Sequence, residues 1–204
     1  KANDWVEKTY KSLSQDEKLG QLFIIALYTN KGEDYIENVR NIVTNEKIGG
    51  LILMQDDAAR EIDLVNEFQS KSKVPLMIGM DAEWGLFQRI ATAHKFPWAM
   101  TLGAIQDKSL IQEMSAKIAE DCHRMGINWD FAPVVDVNTN PNNPIIGNRS
   151  FGSEVSNVVT SALAYAEGLQ NHQILAAIKH FPGHGDTDTD SHLDLPVVSH
   201  DLNR

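Results

Sequence analysis

Apolar residues along this chain follow two rhythms. Continuous apolar segments at 22–27, 48–54, 75–80, 127–137 and 174–178 read as strands. Between them lie longer stretches whose apolar positions recur at helical spacing: 33–45, 56–72 (with Ile62, Leu64, Val65 and Phe68), 107–125 and 154–172. The stretch at 107–125 is followed by Gly126, in the position expected of a C-terminal cap, and Ser14-Gln15-Asp16-Glu17 has the form of a capping box opening a short helix. Residues 138–152 are rich in Asn and Pro and read as a loop.

Strands alternating with helices predict parallel βαβ units, and uninterrupted apolar runs suit a sheet covered on both faces. Two architectures fit. An open doubly wound sheet would be complete at this length, whereas a (β/α)8 barrel takes roughly 250 residues, so this chain would supply about its first five βα units. Nothing resembles the GxGxxG turn of a dinucleotide fold, and no cofactor is expected. Polar groups follow at least three strands: Asp81 after the third, Asp136 and Arg149 after the fourth, and the segment from Lys179 to His192 after the fifth. That distribution suits the mouth of a barrel, and the barrel is the favoured reading. With no repeat, linker or low-complexity segment, residues 1–204 are expected to be the N-terminal part of a single barrel domain that continues beyond them.

Composition narrows the function. The chain has 204 residues, 42% of them hydrophobic and 23% charged, which is the balance of a globular protein with a core. A formal charge of -10 with no run of Lys and Arg argues against a nucleic-acid partner. No apolar stretch reaches the roughly 20 residues needed to span a bilayer. The first residues lack the apolar segment of a signal peptide, but the chain begins with Lys, which leaves the compartment open between the cytoplasm and export after signal cleavage. Cys122, the single cysteine, forbids an internal disulfide; its helical spacing with Leu110, Met114 and Ile118 places it in the core.

The candidate chemistry is concentrated in Lys179-His180-Phe181-Pro182-Gly183-His184-Gly185-Asp186-Thr187-Asp188-Thr189-Asp190-Ser191-His192. Asp190 and His192 lie two residues apart, a spacing that lets the carboxylate accept from one imidazole nitrogen while the other faces a substrate as general acid or base. His180, His184, Asp186, Asp190 and His192 are also competent zinc ligands. A calcium loop is not expected, since Ser191 stands where Gly is needed and Val197 where the bidentate Glu should be. Asp81-Ala82-Glu83-Trp84-Gly85 sets two carboxylates and an indole behind a strand, which serves equally as a capped helix start or as a sugar subsite. Arg149 in Asn148-Arg149-Ser150-Phe151-Gly152 has no acidic neighbour in sequence before Glu154.

Lys179 to Asp186 with Asp190-Ser191-His192 resembles the signature of the β-N-acetylglucosaminidase branch of family-three glycoside hydrolases. The likeness extends to the segment from Asp81 to Arg89, to Phe131-Ala132-Pro133-Val134-Val135-Asp136 and to Ile146-Gly147-Asn148-Arg149-Ser150-Phe151. It implies a (β/α)8 barrel and an exo-acting retaining hydrolase cleaving terminal β-linked N-acetylglucosamine from glycans or cell-wall fragments. His192 would be the acid/base and Asp190 the residue that orients it, with Asp81, Arg89, Arg149, Lys179 and His180 holding the sugar. Two departures stand out. Trp84 and Leu86 replace a Gly and an Arg of the usual pattern, and the carboxylate nucleophile of the resembling enzymes lies beyond residue 204. The expected partners are therefore a carbohydrate substrate and the remainder of the barrel, cleaved or supplied as a separate chain. The competing readings are a metal-dependent barrel hydrolase and a carbohydrate-binding remnant without turnover.

Overall fold

The computed structural model describes residues 2–55 and 57–198. Two helices, α1 (Ala2–Ser12) and α2 (Gln15–Gly20), precede β1 (Ile24–Leu27). The chain continues through α3 (Glu33–Glu46), β2 (Gly50–Leu53), α4 (Ala58–Lys71) and β3 (Met77–Met80). Short α5 (Ala99–Gly103) and long α6 (Ser109–Arg124) lead to β4 (Trp129–Asp130), and α7 (Val155–Asn171) leads to β5 (Leu175–Ala176).

The strands form one parallel sheet in the order β1-β2-β3-β4-β5. This order decides between the two architectures, because a doubly wound sheet reverses direction at a switch point and a barrel does not. The molecule is the first five βα units of a (β/α)8-type barrel. The register aligns Leu27, Leu53, Met80, Asp130 and Ala176 in a row across the sheet at the C-terminal strand ends. The loops that leave these residues therefore emerge on one rim.

Local chemistry explains the helices. Ser14 and Glu17 close the capping box reciprocally at the start of α2. Asp57 accepts the amides of Ala59 and Arg60 at the start of α4. At the end of α6, Gly126 takes φ +73°, and the amides of Gly126 and Ile127 return to the carbonyls of His123 and Cys122, the double bond of a Schellman cap. Helix α6 buries Ile111, Ser115, Ile118, Ala119 and Cys122 against α7, whose buried face includes Val158, Ala162, Tyr165 and Leu169. The two helices meet at Gly168, where a Cβ would stand 1.8 Å from Ser115 Oγ and 2.3 Å from the Gln112 carbonyl.

Several expectations are corrected. Cys122 is fully buried as expected, but Leu110 is exposed and Ile111 occupies the inward position, one residue on. Within the segment 127–137 the regular ladder is limited to Trp129–Asp130, since the Asp130 carboxyl takes the Ala82 amide of the β3 rim; beyond it the pairing with the β5 segment is irregular and includes a single bridge from Val134 to Lys179. The run 174–178 is not a buried strand: Leu175 and Ile178 are 51% and 59% exposed, because among the described residues β5 pairs on one side alone, with β4. Helix α5 is too short to show a period, and α1 goes unread although Trp5, Val6 and Tyr10 fall at helical spacing along it. Asp56, at the expected start of the fourth helix, and residues 199–204 lie outside the described residues.

Candidate active site

Asp81 follows β3 directly, and its carboxylate is held from two sides, by Lys179 Nζ at 2.9 Å and by the Arg89 guanidinium. Two residues on, Glu83 takes a bidentate grip from Arg149 (Nε at 2.9 Å, Nη2 at 2.8 Å) and shares Lys179 at 2.9 Å. Lys179 thus bridges the two carboxylates from the segment that leaves β5 on the same rim. Burial alone would raise both acids, but the hydrogen bonds and charges of Lys179 with Arg89, and of Arg149 with Lys179, hold Asp81 and Glu83 below the usual carboxylate range. Both are ionised at neutral pH. The result is a partly buried lattice of fixed charges whose remaining lone pairs and N–H groups suit sugar hydroxyls.

Behind Lys179, the buried carboxylate of Asp136 organises the next loop. It accepts the His184 amide at 2.6 Å and the His180 amide at 3.3 Å, and its Oδ2 lies 2.6 Å from His180 Nδ1. An acceptor in all three contacts, it assigns the proton of His180 to Nδ1 and leaves Nε2 as the nitrogen available to a ligand. Gly185 packs so closely against Val137 that a Cβ would lie 1.9 Å from its carbonyl oxygen, which fixes this loop to the segment after β4. The peptide bonds Lys179–His180 and Phe181–Pro182 are cis.

The Asp190–His192 pair forms as the spacing predicts. His192 Nδ1 lies 2.7 Å from Asp190 Oδ1, which also accepts the His192 backbone amide at 2.9 Å. The backbone N–H, then the imidazole, lower the Asp190 pKa, with a smaller contribution from His184. The His184 ring in turn sits 6.1 Å from that of His180. The His192 side chain is 74% exposed, with Nε2 free of the dyad contact.

Among the described residues no three His, Cys, Asp or Glu side chains are placed to hold a metal ion. The His180, His184 and His192 rings instead engage Asp136, Thr187 and Asp190. A polar cavity of about 320 Å³ between Ser14, Glu17 and Lys47 lies before β1 and β2, at the opposite end of the sheet from the charged lattice.

Sequence reading therefore located the members of three clusters: Asp81, Arg89, Lys179 and Arg149 in one, His180 in the second, Asp190 and His192 in the third. It missed that Glu83 is the partner of Arg149, 66 residues away, and that Asp136 is the hub of the His180 loop. The signal available for both was an acid in the segment that leaves a strand: Glu83 three residues after β3 and Asp136 six residues after β4. Trp84, next to Glu83, stacks on Trp98 with centroids 4.0 Å apart and is half-buried.

A barrel rim bearing an ion-pair lattice and an imidazole–carboxylate dyad places this chain in the class of α/β-barrel proteins whose charged and titratable groups gather at the C-terminal strand ends. Residues 14–204 match the family model for the glycosyl hydrolase family 3 N-terminal domain, and the chain belongs to that family. It is 34% identical over 93% of its length to a β-N-acetylglucosaminidase/β-glucosidase of Cellulomonas fimi, and covers 33% of that protein. It is 39% identical to β-hexosaminidase A of Pseudoalteromonas piscicida over 80% of the chain and 29% of that protein. Among solved structures, a family 3 β-N-acetylglucosaminidase from Paenibacillus sp. matches with a TM-score of 0.81 at 33% identity, covering 94% of this chain and 37% of that one. A β-glucoside phosphorylase, BglX, bound to 2FGlc matches at 0.85 and 30% identity over 93% of this chain and 34% of that one. The chain thus spans about a third of the length of these relatives.

Proposed function

We propose that the protein is an exo-acting retaining glycosidase that removes terminal β-linked N-acetylglucosamine from glycans or cell-wall fragments. The Asp190–His192 contact at 2.7 Å is the observation that supports this reading most, since it leaves Nε2 of an exposed imidazole free to meet a glycosidic oxygen. In the first half-reaction His192 would protonate the leaving group; in the second it would take the proton from the incoming water. Asp190 would orient the ring and stabilise the imidazolium that forms. Asp81, Arg89, Arg149, Lys179 and His180 would grip the sugar hydroxyls and fix the anomeric carbon below Nε2.

A retaining mechanism needs a carboxylate nucleophile on the other face of the sugar from the acid/base group. We assign none of the described carboxylates to this role: Asp81, Glu83 and Asp136 are committed to cationic or imidazole partners. The nucleophile would come from the remainder of the barrel, following residue 204, which would also cover the exposed edge of β5. The direct test is hydrolysis of aryl β-N-acetylglucosaminide by the full natural polypeptide, with the aryl β-glucoside as comparison.

A second reading is favoured by the similarity to a β-glucoside phosphorylase. An imidazole carries no negative charge to repel a phosphate dianion, as a carboxylate acid/base would, so phosphate would be able to replace water as the acceptor. Formation of sugar 1-phosphate when phosphate is added would favour it over hydrolysis.

A further inference from the structure

The segment carrying Asp81 and Glu83 is held from beneath by two residues that no part of the sugar chemistry uses. Asp130, fully buried at the end of β4, accepts the Ala82 amide on Oδ1 at 3.0 Å. Tyr165, buried on α7, directs its hydroxyl at the carbonyls of Ala82 (3.2 Å) and Glu83 (3.3 Å). Ala82 is itself fully buried and sits between the two acids of the charged lattice. Side chains flanking one peptide on a strand end point where that peptide directs them, so fixing Ala82 fixes both carboxylates.

We propose that Asp130 and Tyr165 are positioning residues of the sugar site, clamping the Ala82–Glu83 backbone from its N–H and C=O sides so that Asp81 and Glu83 stay aimed at Lys179, Arg89 and Arg149. The inference rests on the glycosidase reading for its functional meaning but not for its geometry.

The clamp is also responsive to pH. Burial raises Asp130 to about 7, opposed by the Ala82 N–H and by Lys179 and reinforced by Glu83 and Asp81. The groups facing it are Asp81 and Glu83 after β3, Lys179 after β5, Cys122 on α6 and Tyr165 on α7; burial pushes the thiol and the phenol up, so these two stay neutral. Below about 7 Asp130 is a neutral acceptor. Above it, a third carboxylate charge stands beside Asp81 and Glu83 and competes with them for Lys179.

The test uses the full natural polypeptide and four proteins: wild type, Asp130→Asn, Asp130→Ala and Tyr165→Phe. Two quantities are measured, hydrogen exchange of the Ala82 amide and kcat/KM for the aryl N-acetylglucosaminide from pH 5.5 to 8.5. Asp130→Ala removes the acceptor, so Ala82 exchange accelerates and kcat/KM falls on the order of 10–100-fold, the cost of misplaced binding groups. Asp130→Asn retains the acceptor oxygen, so at pH 6 it recovers most of that loss, and the wild-type to Asn ratio of kcat/KM falls as pH rises past 7. Tyr165→Phe, which removes a single oxygen, loosens Ala82–Glu83 in the same way and decides the matter if Asp130→Ala does not fold. Unchanged Ala82 exchange in Asp130→Ala and Tyr165→Phe, or a pH-independent ratio for Asp130→Asn, overturns the proposal. A wild type that cleaves no glycoside overturns the glycosidase reading, while the exchange measurement still judges the clamp.

Discussion

Glu83 and Arg149 show how a charge is kept inside this protein. The Glu83 side chain is 5% exposed and its carboxylate survives because Arg149 occupies both oxygens and Lys179 adds a third contact. Truncating Arg149 to Ala should therefore cost about 3–5 kcal/mol in urea unfolding, the penalty for stranding a buried charge rather than the worth of the pair. The sign with pH is set by the lowered pKa values of Asp81 and Glu83. Their contribution is complete above their unfolded values near 4 and is lost as pH falls through the lower folded values, so acid should erase most of the difference between wild type and Arg149→Ala. Asp130 behaves oppositely. Its folded pKa lies above its unfolded one, so it withdraws stability as pH rises from about 4 to about 7. Asp130→Asn should consequently gain thermal stability on wild type at pH 8 and little at pH 4. At this scale the sequence disclosed what is local: Asp190 and His192, two residues apart, state their own contact. Arg149 and Glu83, or His180 and Asp136, are joined by tertiary folding, and no spacing rule could pair them.

Among the elements, α3, α4, α6 and α7 and the strands β1 to β3 were legible because each has a period or an uninterrupted apolar run of adequate length. Helix α5 has five residues, too few to display a period, and α1 leaves Trp5, Val6 and Tyr10 exposed, so no buried stripe marks it. The overlong readings at β4 and β5 have a different cause. Apolar composition continues past the last ladder bond, because residues just beyond a strand end still pack beneath the rim: Ala132 and Val134 are buried although they lie outside β4. The crossing of α6 and α7 makes the sharpest prediction here. Gly168→Ala places a Cβ on Ser115 Oγ and the Gln112 carbonyl, and backbone cannot step aside as a side chain can. Overpacking of this kind costs about 1–3 kcal/mol, so the midpoint in urea should fall with little change in the slope.

For the whole molecule, the parallel order without reversal places every functional cluster after a C-terminal strand end, which is where barrels do their chemistry. The family was legible from four motifs in order along the chain, and the match over residues 14–204 agrees. What sequence could not supply was the direction of the proton at His180, which required seeing Asp136 behind it; the contact of His192 with Asp190 was readable from their spacing. Everything proposed for catalysis turns on His192 being the acid/base of a glycosidase. The measurement that tests this most directly compares wild type with His192→Ala in the full natural polypeptide, on an activated aryl β-N-acetylglucosaminide and on an N-acetylglucosamine disaccharide. Wild type should cleave both, and the substitution should reduce the disaccharide rate on the order of 10²–10⁴-fold and the activated substrate far less. Equal losses on the two substrates, or wild-type rates retained after His192→Ala, would contradict that role.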